Sequence, residues 1–154
     1  MNPDLVAGAA VLEAIQATDK ASALEEILGA AVQAKLVAKK DKAALLDRLH
    51  AREKLGSTGI GNGVAIPHVK GDEIGRVGLV VARSLPGIDY EAIDGRPVHT
   101  LFLLLAPTDK GQEHLAALKW ISGLARDTDF RRFFLAAESA PAIRDLLLEM
   151  SGPA

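Results

Sequence analysis

Three side chains in this sequence have the types and settings for chemistry on an anion: His68, His114 and Arg52. His68 closes the run Gly59-Ile60-Gly61-Asn62-Gly63-Val64-Ala65-Ile66-Pro67-His68. Alternating glycines let a backbone pass close to a neighbour, or take positive φ, with no Cβ in the way. Val64-Ala65-Ile66 reads as a short buried strand. Pro67 has no N–H and pushes Ile66 toward extended geometry, so the strand is expected to stop there. His68 then stands where pairing has just ended, a usual place for a reactive side chain on a rigid element. Taken alone, an imidazole on such a rim is a nucleophile, a base or a ligand.

His114 falls in the first turn of a predicted helix that follows a strongly apolar strand, and Arg52 ends an earlier helix. Helix starts carry free N–H groups and a positive dipole end, which favour an anion. Strand ends and helix starts meet along one edge of an α/β sheet. A phosphoryl group on His68 would find donors in His114, Arg52 and nearby amides, with Ser57, Thr58 and Lys70 as further candidates. An unperturbed imidazole pKa of about 6.5 leaves much of the ring neutral and nucleophilic at pH 7. Phosphoryl transfer needs positioning and charge stabilisation more than a second nucleophile. Transfer between two imidazole nitrogens is expected to need no cofactor and no metal.

Competing motifs fail on context. The glycines precede a strand, whereas a dinucleotide fingerprint precedes a helix, and no Gly-Lys-Ser/Thr follows them. Glu113-His114 has no second histidine four residues on, so the zinc-protease pattern is missing. Plainer roles stand beside the chemical ones. Pro-His pairs are common. His114 beside Leu118 also reads as a half-buried structural histidine, and Arg52 as a snorkelling side chain. Arg48, one turn before Arg52, makes a like-charged pair that suggests an anion nearby. His99 reads as a strand residue, His50 as a surface one, and Phe130, Phe133 and Phe134 as core.

The elements that must hold these groups follow from periodicity. Residues 1–10 are small and expected to be loosely held. Val11 to Ile15 predict an edge strand. Leu24, Ile27, Leu28 and Ala31 predict an amphipathic helix capped by Thr18 or Asp19. A second helix, capped by Asp41, carries Leu45, Leu46 and Leu49, with Arg52 continuing the stripe. A polar loop is expected after His68, then a strand over 76–82. Asp94-Gly95 marks a turn before Val98–Leu105, whose nearly unbroken apolar character predicts a central strand covered on both faces. Leu115, Leu118 and Ile121 begin a third helix, the phenylalanines a short fourth, and Ser139 with Pro141 opens a last one. The expected fold is α/β: a mixed β-sheet flanked by helices on both faces, a three-layer sandwich.

Composition agrees with one soluble domain over 1–154. The chain has 154 residues, 49% hydrophobic and 25% charged. A net charge of -2 and a pI near 6.1 give no nucleic-acid footprint. Cysteine is absent, which excludes disulfides and thiolate chemistry. No signal peptide or bilayer-length apolar run is present, so a cytoplasmic location without membrane insertion is expected.

The stretch Arg52-Glu53-Lys54-Leu55-Gly56-Ser57-Thr58-Gly59-Ile60-Gly61-Asn62-Gly63-Val64-Ala65-Ile66-Pro67-His68 closely resembles the signature of the fructose/mannitol-type enzyme IIA family of the bacterial phosphotransferase system. Glu53, Ile60, Gly61, Val64, Ala65, Ile66, Pro67 and His68 fit that pattern in register, and Gly111-Gln112-Glu113-His114-Leu115 extends the resemblance. It implies that His68 is the phosphorylated histidine, fed by the phosphohistidine of the carrier protein HPr or a relative. It implies that His114 hydrogen-bonds the phosphoryl group, that Arg52 lies near the site, and that the fold is the sandwich expected above. Val69 stands where many members carry a small residue, which predicts a narrowed space beside the site. A free-standing domain with Leu-Gly-Ser-Thr-Gly-Ile-Gly is similar to the nitrogen-regulatory subgroup, which implies regulatory partner proteins. The alternative implied is a sugar-transport phosphocarrier that passes phosphate to a IIB cysteine.

Overall fold

The computed structural model describes residues 3–151. Its centre is β6, Val98–Ala106, the apolar run singled out by sequence. β5, Gly78–Ile88, lies antiparallel along one side of it. On the other side run β3, Val64–Ala65, and β4, His68–Lys70, both parallel to β6. β1, Ala10–Leu12, and β2, Gly59–Gly61, extend the six-stranded sheet to either edge.

Side chains alternate across this sheet as a pleated backbone requires. Leu101, Leu103 and Leu105 face one helical layer, built from α2, Lys20–Gln33, and α3, Lys42–Lys54. Phe102 and Leu104 face the other, built from α1, Pro3–Ala7, α4, Gly111–Arg126, α5, Thr128–Ala136, and α6, Ala140–Ser151. Each fully buried Leu or Phe contributes roughly 1.5–3 kcal/mol. The expected three-layer sandwich is the observed one.

Local details depart from expectation, each for a physical reason. From Pro3 on, the opening segment is packed: α1 buries Val6 completely, and Arg144 Nη1 donates to the carbonyls of Val6 and Ala7 at 3.1 and 3.0 Å. Met1 and Asn2 lie outside the described residues. Asp19 caps α2 through Ser22 N–H, 2.8 Å. Asp41 does not cap α3, because it ends a 3-10 turn over Lys39–Asp41 and its φ/ψ of -96/-6 is helical rather than extended. Phe130 and Phe134 are core, but Phe133 is 53% exposed beneath the Arg132 guanidinium.

Pairing also does not end at Pro67. Val64 faces Thr100 and His68 faces Leu104, so the register is unchanged across the proline. Ile66 N–H continues the β2–β3 pairing to Thr58 O at 2.9 Å, and Pro67, which has no N–H to give β6, still accepts through its O from Leu104 N at 3.0 Å. The strand is interrupted, not terminated. The glycines upstream form a two-residue hairpin loop: Asn62 and Gly63 take φ of 59 and 75, the geometry of a type I′ turn. Gly59 passes so close to Ala92 that a Cβ there would lie 2.8 Å from Ala92 Cβ.

Candidate active site

β4 and the start of α4 build the site. His68 is the first residue of β4 and is half-buried. Strand alternation puts His68 and Lys70 on the α4 face and Val69 on the opposite one. Val69 is accordingly buried in the α2/α3 layer, 7% exposed, and does not narrow the space beside His68. The His68 Nδ1 atom lies 2.8 Å from Ile66 O. A carbonyl oxygen only accepts, so in the neutral ring Nδ1 carries the proton and Nε2 keeps its lone pair.

His114 lies in the first turn of α4, anchored by its N–H to Lys110 O at 3.0 Å. Its ring centroid is 5.5 Å from that of His68, with the rings tilted by 58°. It is 6% exposed, and its Nε2 is buried with no hydrogen-bond partner among the described residues. Burial first, then the nearby His68 and Lys70, push its pKa down to about 4. His114 is therefore neutral at pH 7, with a buried ring nitrogen left to be satisfied by a group outside the described residues. No side chain caps α4, so the amides of its first turn remain available beside the histidine pair.

The other candidates sit as follows. Arg52 is half-buried at the end of α3 and donates one guanidinium N–H to Gly56 O, 2.8 Å. Ser57 Oγ accepts from Gly59 N–H at 3.0 Å. Thr58 is 4% exposed, and its hydroxyl is turned inward to Glu53 and Tyr90 rather than toward His68. The hint drawn from Arg48 and Arg52 has another resolution: Arg48 pairs with Glu73 at 2.5 Å and bonds Lys70 O at 3.1 Å. The Arg48 hydrogen bond to the Glu73 carboxylate holds that carboxyl below its usual range. The Asn62-Gly63 hairpin loop ends five residues before His68, about 16 Å back along the strand, and is scaffold rather than cradle.

Sequence reasoning passed over a second polar cluster. Glu53, and not Arg52, continues the buried stripe of Leu45 and Leu49. Its Oε2 accepts the Thr58 hydroxyl at 2.5 Å, and its Oε1 accepts Thr58 N–H at 3.1 Å. Lys20 Nζ stands 3.4 Å from Oε1, and Tyr90 OH 3.1 Å from the Thr58 hydroxyl. The i, i+4, i+8 spacing of Leu45, Leu49 and Glu53 was the available signal, since a carboxylate on an apolar stripe must find partners.

Comparison with known proteins places this arrangement. A nitrogen regulatory protein of Bradyrhizobium diazoefficiens is 42% identical over 144 residues, covering 94% of this chain and 92% of that protein. The fructose-specific EIIA component of Haloferax volcanii is 40% identical over 131 residues, 85% of this chain and 84% of its own length. The crystal structure of nitrogen regulatory protein IIA-Ntr from Neisseria meningitidis superposes with a TM-score of 0.81 at 29% identity, over 94% of this chain and 97% of the other. Residues 7–150, which carry both histidines and the whole sheet, match the profile of the phosphoenolpyruvate-dependent sugar phosphotransferase system EIIA 2 proteins, and to that family this chain belongs.

Proposed function

We propose that His68 accepts a phosphoryl group on Nε2 from the phosphohistidine of an HPr-type carrier. The observation that carries the reading is the pairing of a His68 ring whose Nδ1–H is held by Ile66 O with a neutral His114 whose Nε2 has no partner. In the transfer the Nε2 lone pair forms the new N–P bond. The N–P bond of the donor breaks, and its electron pair stays on the donor imidazole. The three equatorial oxygens are met by His114, by the open amides of α4 and by the positive field of Lys70 and Arg52, with Ser57 as a further donor. A proton taken up by His114 beside the new phosphate relieves its unpaired nitrogen and compensates charge. The leaving imidazole makes a metal unnecessary for this step, and a strict magnesium requirement would contradict that.

The regulatory branch is the reading we favour, in the cytoplasm, with phosphorylation switching the affinity for partner proteins. Its support is the run of relatives named nitrogen regulatory protein, 42% identical in Bradyrhizobium diazoefficiens and 38% in Escherichia coli. The phosphate adds roughly -1.5 to -2 charges at neutral pH, enough to repel an acidic partner or recruit a basic one. A second reading, a sugar-transport carrier that hands its phosphate to a IIB cysteine, is favoured by the 40% identity to the Haloferax volcanii fructose component.

One experiment separates them. The chain is labelled with a phosphorylated HPr-type donor, purified, and offered to a fructose-type IIB domain. Label that stays on the chain while its affinity for a partner protein changes supports regulation. Rapid passage to the IIB cysteine supports the carrier. A chain that takes no label contradicts both.

A further inference from the structure

The Glu53 cluster and the His68 ring are joined by a short, unbroken series of bonds. Glu53 Oε1 accepts Thr58 N–H at 3.1 Å, and its Oε2 clamps the Thr58 hydroxyl at 2.5 Å. The carbonyl of that same Thr58 accepts Ile66 N–H at 2.9 Å. The carbonyl of that same Ile66 accepts His68 Nδ1–H at 2.8 Å. Strand alternation turns Ile66 away from β6: its N–H continues the β2–β3 pairing to Thr58 O, and the following Pro67 ring holds Ile66 extended. With both sides of Ile66 pinned, its carbonyl direction is set, and with it the ring nitrogen of His68 that keeps the proton.

The anchor at the far end is rigid. Glu53 is 8% exposed and lies 3.4 Å from Lys20 Nζ, which also stands 5.2 Å over the Tyr90 ring. Tyr90 is fully buried and meets the Thr58 hydroxyl at 3.1 Å. The same turn is closed on its other side by Arg52 Nη1 on Gly56 O, 2.8 Å. Moving the Glu53 carboxylate therefore moves Thr58, the turn to which the Arg52 side chain is bonded, and the acceptor that orients His68.

We infer that Glu53 is a positioning residue for phosphoryl transfer, fixing through Thr58 and Ile66 the His68 tautomer that presents Nε2. The inference rests on His68 being the acceptor, and it extends that reading to a residue that touches neither phosphate nor imidazole.

The test reads two quantities in the full chain: the ring-nitrogen tautomer of unphosphorylated His68 by heteronuclear NMR, and the rate of labelling by a phosphorylated HPr-type donor. Glu53→Leu removes both acceptor oxygens at similar volume. It is expected to mix the tautomers and slow labelling by about tenfold or more at unchanged donor KM, since small misplacements of reacting groups carry such losses. Glu53→Gln keeps an acceptor for Thr58 N–H and is expected to restore the Nδ1–H tautomer and most of the rate. A folded Glu53→Leu chain with wild-type tautomer populations overturns the inference, as does a Glu53→Gln chain no better than Glu53→Leu. If Glu53→Leu does not fold, Thr58→Val decides: loss of the hydroxyl clamp shifts the tautomer balance part of the way, and wild-type populations there overturn the inference. The tautomer is read without any phosphoryl donor. A wild-type chain that never takes label therefore defeats the acceptor reading while leaving the tautomer comparison intact.

Discussion

Two polar clusters, separated by fifteen positions or fewer in the stretch from Arg52 to His68, are built on opposite plans. Around Glu53, both carboxylate oxygens, the Thr58 hydroxyl and the Tyr90 hydroxyl have partners, and Lys20 supplies the countercharge. Around His68, one ring nitrogen is bonded, the other keeps a free lone pair, and His114 Nε2 is buried with no partner among the described residues. A buried polar group left unsatisfied costs about 1–3 kcal/mol. A cluster with every group paired rigidifies, whereas one left open is suited to receive something. The difference teaches that polar satisfaction, more than residue type, separates scaffold from site here.

The comparison breaks most sharply at His68. His68→Ala is expected to abolish labelling by the HPr-type donor while the unfolding midpoint in urea stays near wild type. Residual labelling elsewhere would move the site. His114→Leu is expected to slow labelling by about a hundred- to a thousandfold, as loss of one charge-stabilising donor does. Its stability should stay equal to or above wild type, because an unpaired polar atom leaves the interior. Thr58→Val in the saturated cluster should do the reverse in weight, removing about 1–3 kcal/mol of unfolding free energy by stranding Glu53 and Tyr90. Denaturant titration of both variants checks the contrast. A His114→Leu chain less stable than Thr58→Val would erase it.

The clusters should also fail at opposite ends of the pH scale. The folded pKa of His114, about 4, lies below its ordinary 6.5. Between those values the unfolded chain binds more protons. The contribution of His114 to stability is therefore fully present above pH 6.5 and is lost as pH falls toward 4. Burial first, and then the Glu53 charge, raise the Tyr90 pKa above its ordinary 10.0. Above pH 10 the unfolded chain loses the tyrosine proton first, so stability falls as pH rises. Urea midpoints measured across pH should show an acid limb that flattens in His114→Leu and an alkaline limb that flattens in Tyr90→Phe. The smallest effect on labelling belongs to Val69→Ala: none, because the side chain lies on the far face of the sheet, while stability falls by roughly 1.5–3 kcal/mol for the two buried carbons lost.

The parts of this design that sequence exposes are those governed by one-dimensional periodicity. Leu24, Ile27, Leu28 and Ala31 lie on one helical face, and every one of them is buried. The run Val98–Leu105 is the sheet's centre because it is apolar on both faces. Sequence places His68 just past a strand end and His114 at a helix start; their rings do come together, but His68 opens a resumed strand. What stayed hidden depends on contacts between distant segments. Pro67 implied a stop, but the carbonyl of Pro67 still accepts from Leu104, and only the fold reveals the resumed register. Asn62-Gly63 carried a strong local hairpin signal that the alternating glycines obscured. Arg48 signalled an anion, and the anion is Glu73, twenty-five positions on. The role of Thr58 could not be read from its place in a glycine-rich stretch, because its partners Glu53 and Tyr90 come from α3 and from the segment after β5.

The most direct test of this account is the atom on which the phosphate arrives. The chain is labelled with a phosphorylated HPr-type donor, and the phosphohistidine is examined by phosphorus and imidazole-nitrogen NMR. The account predicts a single N–P linkage at His68 Nε2, with the Nδ1–H to Ile66 hydrogen bond retained. Phosphate on Nδ1, on His114, or on no histidine at all would contradict it.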